Sequence, residues 1–430
     1  MKINVNELKN HIEKEIIFSG FVDAIRDKKW VMFVILRDAT GKVQMTIEKS
    51  EEANKKLLDI MDDLTVESTV RVTGKVVANE AVKLGGIEII PSEIEVTSKA
   101  LPLPFDFNNL EGVNIDTRMD FKWLDMRNRR NTLIRQVESC MTEGMRKFLY
   151  ENHFTEIHSP KLIGAASESG SDVFEVKYFD GTAYLAQSPQ FYKQMALAGG
   201  LDRVFEVGPV FRAENSNTNR HATEFTGFDL EFAYIDSYED VMSLEEDLLI
   251  AGLTSVKEKY GEEIKELFDT EVVIPTKPFP RIRLKDLYQE LHERYQFDIP
   301  TEDVGDMNAE AEKLTFKLAL EKYHSEFMFV VDYAATKRPF YHMRDREGKL
   351  QGYDLIWRGM EITSGAQREH RYDELLKNAQ EKGLGKDVEF YLQFFKYGCP
   401  PHGGFGIGLD RITMLLLGLS GIKETQFLFR

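Results

Sequence analysis

The chain has 430 residues but only two cysteines, Cys140 and Cys399, which stand far apart. Disulfide frameworks and thiolate zinc sites need more cysteines at closer spacing, so we expect neither. No stretch approaches the run of about 18 apolar residues that a membrane-spanning helix requires, so we expect no membrane contact. The segment MKINVNELKNHIEKE has neither the apolar core nor the cleavage site of a secretion signal, which predicts a cytoplasmic location.

Basic side chains are also few: 55 Lys and Arg oppose 72 Asp and Glu, which gives a net charge of −17. Taken alone, this balance argues against nucleic-acid binding. The first hundred residues are nearly neutral, however, so a nucleic acid can still dock on local basic patches. A glycine motif of the dinucleotide-binding type is missing after an early strand, which argues against a Rossmann fold. The length favours two or three domains.

Residues 1–100 carry five strand-like runs and one helical pattern, EEANKKLLDIMDDL, between the third run and the fourth. This layout is that of an OB-fold barrel, a common platform for single-stranded nucleic acid, although several small β-domains share the strand count. The runs are IIFSGFVDAI, WVMFVILRD, KVQMTIEK, TVRVTGKVV and IEIIPSEIEVTS.

Residues 101–128 are irregular and contain proline, which indicates a linker. Residues 129–430 mix helices and strands without a regular βαβ alternation, which favours an α+β domain with a largely antiparallel sheet flanked by helices. A long amphipathic helix begins near Asn131 and ends at Asn152-His153. Its apolar stripe is Leu133, Ile134, Val137, Met141, Met145, Phe148 and Leu149.

The alternation of apolar and polar residues in 203–236 predicts two strands. Each strand has a core face and a polar face, because successive side chains of a strand point to opposite sides. The core face should hold Phe205, Val207, Phe211, Ala213, Phe228, Leu230, Phe232 and Tyr234. The opposite face should hold Glu206, Arg212, Glu214, Phe225, Gly227, Asp229 and Glu231. An arginine, several carboxylates and an aromatic ring on one face can hold an anionic nucleotide and a cationic amine. A solvated sheet face is the plainer alternative.

A second acidic cluster lies in the segment 352–371. If Arg358-Gly359 forms a two-residue turn, Asp354 faces Thr363 and lies diagonally to Glu361 on one face of a hairpin. Two carboxylates at this spacing can share a divalent ion such as Mg²⁺. The alternative is a surface hairpin with two unrelated acids.

A third element, YLAQSPQFYKQM, changes from strand to helix at Ser188-Pro189. Gln190 and Lys193 are then neighbours on one helical face. The plainer interpretation of Lys193 is a solvated lysine on an exposed turn. The late segment GGFGIG (403–408) leads into a helix, and alone it is weak evidence for any ligand.

Together these segments resemble the class II aminoacyl-tRNA synthetases, specifically the aspartyl branch of archaeal or eukaryotic type. FTEIHSPKL with Pro160 is similar to motif 1, FRAENSNTNRHATEF to motif 2 and GGFGIGLDR to motif 3. The resemblance spans essentially the whole chain. Two departures are Asp410, where glutamate is frequent, and the final TQFLFR, which lacks the usual proline.

The resemblance implies that ATP and L-aspartate give aspartyl-adenylate, and that the aspartyl group then passes to the terminal adenosine of tRNA(Asp). It implies catalytic roles for Arg212, Glu361 and Arg411, and Mg²⁺ held by Asp354, Glu361 and Ser364. Phe225 and Arg411 would sandwich the adenine. The implied ATP site is Arg212, Glu214, Arg220, His221, Phe225, Glu361, Gly408, Asp410 and Arg411.

The resemblance also implies an aspartate site in which Lys193 and Arg368 pair with the side-chain carboxylate. A doubly cationic pocket would disfavour the neutral side chain of asparagine, because the amide would leave buried charge unpaired. The full implied set is Glu168, Gln190, Lys193, Arg212, Asp229, Ser364 and Arg368.

In the first domain, the resemblance implies an anticodon site in which Phe33 stacks on a base, Gln44 contacts a base edge and Arg26 adds a contact. The alternative for Phe33 is an aromatic side chain of the barrel core. The resemblance further implies a homodimer, and it leaves open whether tRNA(Asn) is charged as well. Three other functions stay open: an asparaginyl enzyme, an amide-forming ligase that activates aspartate, and a non-enzymatic RNA-binding scaffold.

Overall fold

A computed structural model describes residues 3–164, 173–213, 220–384 and 388–427. The chain divides into two units, Met1–Glu111 and Gly112–Arg430. The predicted linker therefore does not fall wholly between them, because residues 112–128 belong to the second unit. No helix among the described residues combines the length and the apolar character that a membrane span needs.

The first unit is a closed barrel of five strands, hydrogen-bonded in the order β1-β2-β3-β5-β4. Its strands are β1 (Glu15–Asp27), β2 (Val31–Asp38), β3 (Gly41–Glu48), β4 (Thr69–Ala78) and β5 (Ile87–Ser98). Helix α1 (Lys55–Met61) lies between β3 and β4. The predicted OB-fold is confirmed in its strand count and in the place of its helix, although the helix is shorter than the pattern suggested.

The second unit is built on an eight-stranded sheet in the order β12-β13-β14-β15-β16-β11-β10-β6. Neighbouring strands are antiparallel except at the two edges, where β12 pairs with β13 and β10 with β6 in parallel. A separate three-stranded sheet has the order β7-β9-β8. The largely antiparallel sheet predicted for this domain is therefore confirmed. Its strands are β6 (Thr155–Glu156), β7 (Leu162–Ile163), β8 (Glu175–Tyr178), β9 (Gly181–Leu185), β10 (Arg203–Phe211), β11 (Glu224–Ala233), β12 (Arg281–Arg283), β13 (Phe327–Val331), β14 (Gly352–Trp357), β15 (Met360–Arg368) and β16 (His402–Gly408).

Helices flank this sheet. The helices of the second unit are α2 (Ile115–Asp120), α3 (Lys122–Asp125), α4 (Arg129–Glu151), α5 (Gln190–Ala198), α6 (Tyr238–Phe268), α7 (Leu284–Tyr295), α8 (Ala309–Tyr323), α9 (Tyr372–Glu381), α10 (Glu389–Leu392) and α11 (Leu409–Leu416). Short 3₁₀ helices span Val5–His11, Glu52–Asn54, Thr301–Asp303, Ala335–Lys337, Gln393–Phe395 and Ile422–Thr425.

Helix α4 illustrates how the sequence determines these elements. The side chain of Asn128 accepts the backbone N–H of Arg130 and so caps the first turn. The helix begins two residues before the predicted position. Its apolar stripe enters the main core as predicted, and only Phe148 of that stripe is partly buried. Burying such a stripe, rather than helix propensity, provides most of the stability of a helix in a protein.

Strands β10 and β11 form the central hairpin with the predicted separation of faces. Phe205, Phe228 and Leu230 are buried in the main core. On the other face, Glu206 is the partner of Asp229 and Val210 the partner of Phe225. The prediction for Tyr234 is wrong: β11 ends at Ala233, and Tyr234 has a left-handed φ of 61° and is 71% exposed.

Candidate active site and candidate anticodon face

A cavity of about 270 Å³ opens on the polar face of β10, β11, β15 and β16. Six of the predicted site residues line it from β10, β11, α5 and the loop between the two strands: Gln190, Arg212, Arg220, His221, Phe225 and Asp229. Six more line it from β15, β16 and α11: Glu361, Ser364, Arg368, Gly408, Asp410 and Arg411. The structure thus brings together residues that lie more than 200 positions apart. Glu168 and Glu214 lie outside the described residues.

One end of the cavity is cationic and aromatic. Arg212 follows β10, and its backbone N–H donates to the carbonyl of Thr223 at 2.9 Å. Its guanidinium carbon lies 5.4 Å from the centre of the Phe225 ring. On helix α11, Nη1 of Arg411 donates to the backbone carbonyl of Glu361 on β15 at 2.7 Å. A planar base and a phosphate can both be held at this end.

Arg220 belongs to the same end but already has a partner. Its Nη1 donates to Oε2 of Glu312 on α8 at 3.0 Å. Burial raises the pKa of Glu312, and the positive charge of Arg220 opposes this rise. A phosphate that binds Arg220 must therefore either displace Glu312 from this guanidinium or share the guanidinium with it.

The acidic hairpin differs from its predicted register. Its turn is the predicted Arg358-Gly359, with left-handed φ values of 47° and 81°. A bulge at Ile362 then shifts the pairing, so that Asp354 is the partner of Ser364 and Leu355 the partner of Thr363. The predicted pairing of Asp354 with Thr363 is therefore wrong, because one extra residue in a strand moves every later side chain to the other face. Glu361, Thr363 and Ser364 all line the cavity.

Asp354 itself is buried and is not among the described residues that line the cavity. Arg338 holds it in a bidentate ion pair, with Nη1 donating to Oδ1 at 2.9 Å and Nη2 donating to Oδ2. Asp354 therefore has a resident cationic partner, and its predicted place at a shared divalent ion stays a prediction. Burial, followed by the negative charge of Asp354, raises the pKa of Glu361 to about 8.

The described residues contain no group of three or more His, Cys, Asp or Glu side chains placed to hold a metal ion. Mg²⁺ does not need such a group, because one or two carboxylates together with substrate phosphates usually suffice. The carboxylate of Glu361 and the hydroxyl of Ser364 are hard oxygen donors in the cavity wall. Both fit Mg²⁺, and a cation at this place would offset the unfavourable burial of Glu361.

The predicted aspartate pocket contains four charged groups rather than two. Lys193 is fully buried, and its Nζ lies 3.0 Å from Oδ1 of Asp229 and 3.3 Å from Oε2 of Glu231. Nε of Arg368 lies 2.8 Å from Oε1 of Glu231. The prediction of a doubly cationic pocket is therefore wrong, because two carboxylates balance the two cations. The exposed-lysine alternative is also wrong, and Lys193 is not among the described cavity-lining residues.

Four of the five N–H groups of Arg368 donate hydrogen bonds within the protein. Besides Glu231, it donates to Nε2 of His342 at 2.9 Å, the carbonyl of Gly404 at 2.9 Å and Oε1 of Gln190 at 3.4 Å. His342 must be neutral to accept this bond, and burial lowers its pKa well below the usual value. Among the described contacts, one N–H on Nη1 remains for a ligand.

The glycines of GGFGIG make room for this network and do not form a phosphate loop. The segment is strand β16, paired with both β11 and β15. A Cβ on Gly406 would lie 2.6 Å from Oδ1 of Asp229, and one on Gly404 would lie 2.6 Å from Oε2 of Glu231. Each distance is too short for a real Cβ contact, so the two carboxylates require glycine on the neighbouring strand.

Asp410 has a structural role that the sequence did not suggest. Its Oδ2 accepts the backbone N–H of Thr226 at 3.1 Å, and its Oδ1 accepts the hydroxyl of Thr425 at 3.0 Å. Burial raises its pKa. These two bonds join the start of α11 to β11 and the C-terminal segment. Its predicted contact with ATP stays a prediction.

In the barrel, the three predicted anticodon residues lie on one outer face. Arg26 and Thr46 are the partners of Phe33 on the two neighbouring strands, and Gln44 lies two residues from Thr46. Met32, Val34 and Leu36 point into the core, so Phe33 is half-exposed and is not a core aromatic. Gln44 donates to Oε2 of a buried carboxylate, Glu88, at 3.1 Å.

Three residues of the active-site region were given no role from the sequence: Glu231, which was predicted only to lie on the polar face, and Arg338 and His342. Glu231 had a usable signal, because it stands two residues after Asp229 and therefore on the same face of the strand. Arg338 and His342 lie in the irregular segment between β13 and β14. No periodicity there shows where a side chain points, so only the tertiary structure reveals them.

The sheet, the three motif-like segments and the cavity together define a class II aminoacyl-tRNA synthetase fold. The family described as tRNA synthetases class II (D, K and N) matches residues 114–429, and an OB-fold nucleic acid binding domain matches residues 16–97. The chain belongs to this class II family.

Among its relatives, an aspartate–tRNA(Asp/Asn) ligase from Aeropyrum pernix is 41% identical over 416 residues, which cover 96% of this chain and 93% of the relative. An aspartate–tRNA(Asp) ligase from Pyrococcus abyssi is 41% identical over 415 residues, with the same coverage. An aspartyl-tRNA synthetase structure from Entamoeba histolytica has a TM-score of 0.88 at 33% identity, covering 100% of this chain and 91% of that chain.

An asparaginyl-tRNA synthetase structure from Pyrococcus horikoshii, complexed with asparaginyl-adenylate, is also similar. Its TM-score is 0.90 at 30% identity, covering 100% of this chain and 98% of that chain. The backbone alone therefore does not separate the aspartyl enzymes from the asparaginyl enzymes. That distinction depends on sequence identity and on individual side chains of the cavity.

Proposed function

We propose that this chain is an aspartate–tRNA ligase, which activates L-aspartate with ATP and transfers the aspartyl group to the 3′ end of tRNA(Asp). The observation that supports this most is the buried set Lys193, Arg368, Asp229 and Glu231 beside a cavity with a cationic, aromatic end. The names of the relatives at 41% identity agree with it.

The cationic end would hold ATP. Phe225 and Arg411 would stack on the two faces of the adenine, and Arg212 would contact the α-phosphate and the carboxylate of the amino acid. Arg220 and His221 would reach the outer phosphates, and Glu214 and Gly408 would contact the nucleotide. Attack of the aspartate carboxylate on the α-phosphorus builds negative charge, which the guanidinium of Arg212 would stabilise.

Glu361 and Ser364 would hold Mg²⁺ against the phosphates. When bound, this ion neutralises phosphate charge and orients the triphosphate. The attacking carboxylate of the amino acid is already ionised near neutral pH. We therefore assign no general base to the activation step.

Aspartate would enter by exchanging ion-pair partners. The four buried charges balance before it binds, so an additional carboxylate needs a cation released from its present partner. If the substrate ammonium pairs with Asp229, Lys193 loses one of its two carboxylate contacts and can turn to the substrate side chain. Arg368 would add its remaining N–H, and Gln190 and Glu168 would complete the site. Asparagine would bring the same ammonium but no second carboxylate, so it would leave Lys193 undercompensated.

The first experiment measures ATP–pyrophosphate exchange with L-aspartate and with L-asparagine in separate reactions. Exchange that depends on aspartate supports the proposal, whereas exchange that depends on asparagine favours the asparaginyl alternative. Activation of aspartate without charging of any tRNA would favour the amide-forming ligase, and absence of exchange with either amino acid would favour the scaffold.

A variant tests the assignment of the pocket. Lys193→Met should raise the aspartate KM strongly and change the ATP KM little. Lys161→Met is the matched control, because Lys161 also pairs with a buried carboxylate of this sheet, Glu206, at 2.7 Å. An unchanged aspartate KM in the Lys193 variant would remove this lysine from the pocket.

A second candidate substrate is tRNA(Asn). The Aeropyrum relative is named for both tRNAs, whereas the Pyrococcus relative is named for tRNA(Asp) alone. The barrel face formed by Arg26, Phe33 and Gln44 would contact the anticodon in either case. Charging assays with both tRNAs and radiolabelled aspartate decide between a discriminating and a non-discriminating enzyme.

We also propose a homodimer that uses the motif 1 segment. Strand β6 is an edge of the large sheet, and among the described strands it pairs only with β10. An exposed aromatic side chain, Tyr150 at 53%, lies four residues before this segment. Light scattering should give about twice the chain mass of 49.6 kDa. The cytoplasmic location stays a prediction.

A further inference from the structure

Arg338 lies behind the cavity wall between two carboxylates and an aromatic ring. Besides its bidentate pair with Asp354, its Nη2 lies 3.4 Å from Oδ1 of Asp306. The guanidinium carbon lies 3.9 Å from the centre of the Tyr333 ring. Only 11% of the Arg338 side chain is exposed. A guanidinium in this position can move from one carboxylate to the other without leaving its ring.

The same guanidinium also contacts the predicted metal site. Its Nη1 donates to Oγ of Ser364 at 3.3 Å. Ser364 is the strand partner of Asp354, and it lines the cavity together with Glu361. Arg338 therefore occupies the acceptor atoms that a divalent cation would otherwise use.

Resting on the function proposed above, we propose that Arg338 is the resident counter-cation of the metal site. It neutralises Asp354 until a divalent cation binds, and then transfers to Asp306, so that Asp354 joins Glu361 and Ser364 at the ion. Arg338 thereby sets the affinity of the site for the ion.

Electrostatics gives the reason for such a residue. Two carboxylates on one buried face repel each other, and an unpaired buried charge is strongly destabilising. An arginine removes this penalty, but it competes with any incoming cation for the same oxygens. Asp306 makes the exchange feasible, because its side chain is 37% exposed and already within reach of Nη2.

The experiment compares Arg338→Gln with Arg358→Gln. Arg358 is the matched control, because it is a half-buried arginine on the turn of the same hairpin, paired with Glu326 at 3.0 Å and absent from the described cavity lining. Thermal unfolding is recorded in EDTA and in Mn²⁺, and Mn²⁺ binding is followed by electron paramagnetic resonance. Nucleotide, aspartate and tRNA are left out of both measurements.

We expect Arg338→Gln to unfold at a lower temperature than wild type in EDTA and to regain more stability than wild type in Mn²⁺. It should bind Mn²⁺ about tenfold more tightly, since the removed charge repels the ion from a few ångströms away. Arg358→Gln should lose stability to a similar extent in EDTA and in Mn²⁺. Asp306→Asn should bind Mn²⁺ more weakly than wild type, because Arg338 then has no charged acceptor to move to.

If Arg338→Gln does not fold, the double variant Arg338→Gln with Asp354→Asn replaces it, because removing both partners of a buried pair costs less than removing one. This double variant should fold without Mn²⁺ and should bind the ion no more tightly than wild type. Mn²⁺ affinity that is unchanged or weaker in Arg338→Gln would overturn the proposal. So would tighter Mn²⁺ binding by the double variant, or equal affinities of Asp306→Asn and wild type.

Pyrophosphate exchange by the wild-type enzyme separates this inference from the function on which it rests. Normal exchange with aspartate, combined with unchanged Mn²⁺ affinity in Arg338→Gln, overturns the counter-cation role alone. Absence of exchange overturns the proposed function, whatever the binding measurements show.

Discussion

Replacing Glu231 with glutamine tests the balance of charge in the amino-acid pocket. Glu231 is fully buried on β11, with Lys193 at 3.3 Å and Arg368 at 2.8 Å. Burial alone would raise its pKa, but the two cations outweigh burial and hold the pKa below the usual value. Glu231 is therefore ionised at neutral pH. Glutamine keeps the size of the side chain and removes its charge.

The magnitude follows from the two ion pairs. At an effective dielectric constant of about 20, opposite charges at these separations attract by about 5 kcal/mol. Removing one partner of a buried pair usually costs about 3–5 kcal/mol, because the remaining charge stays desolvated. Lys193 keeps Asp229 at 3.0 Å, and Arg368 keeps His342 and the carbonyl of Gly404. We therefore expect a loss near the lower end, about 3 kcal/mol.

Urea denaturation of the wild type, Glu231→Gln, Lys193→Met and the double variant measures this loss. Because the double variant again has equal numbers of buried cations and carboxylates, it should be more stable than the sum of the single losses predicts, by about 2 kcal/mol. A single loss below about 1 kcal/mol, or strict additivity, would refute the charge-balance argument.

The same variant responds to ligands. With Glu231 neutral, the pocket has one cation in excess, and the side-chain carboxylate of aspartate supplies the missing charge. L-Aspartate should therefore raise the melting temperature of Glu231→Gln more than it raises that of the wild type, whereas L-asparagine should not. Equal shifts from both amino acids would contradict this assignment.

Three further predictions concern other residues. Burial raises the pKa of Glu245, which lies under the hairpin, from 4.5 to about 8. Between these pH values the folded state binds the proton and the unfolded state has lost it. The stability of the protein therefore falls as the pH rises from 4.5 to 8. In Glu245→Gln, the change in the free energy of unfolding between these pH values should shrink by up to roughly 4 kcal/mol, as measured by denaturation at several pH values. Replacing the exposed Glu258 with glutamine should leave this change as it is in the wild type. Gly406→Ala should raise the aspartate KM about tenfold, because its Cβ displaces Asp229, with little change in the ATP KM in exchange assays. Phe33→Ala should weaken tRNA binding by about 1–3 kcal/mol in charging assays and leave pyrophosphate exchange unchanged.

Much of the fold could be predicted because alternation along a strand is a local property. In β10 and β11 this period separated the core side chains Phe205 and Phe228 from the polar face of Arg212 and Asp229. The same rule failed where a strand is interrupted. At Tyr234 the strand has already ended, and at Ile362 a bulge adds one residue, so the partner of Asp354 is Ser364.

About half of the residues that line the cavity could also be named from the sequence, because the motif-like segments are contiguous. What these residues contact was not. Lys193 and Arg368 looked like unpaired cations until Glu231 and Asp229 were found against them. Contacts of this kind join positions as distant as 231 and 368, and no spacing in the sequence encodes them.

By itself, the sequence determined two domains, their strand patterns, the family and about half of the residues of the cavity wall, since each depends on short-range periodicity or on contiguous motifs. The tertiary structure alone decided which charged side chains are paired in and behind that wall. It placed Arg338 on Asp354 and balanced Lys193 and Arg368 with two carboxylates. The physical reason is that the energy of a buried charge depends on neighbours within a few ångströms, and chain folding, not sequence order, supplies those neighbours.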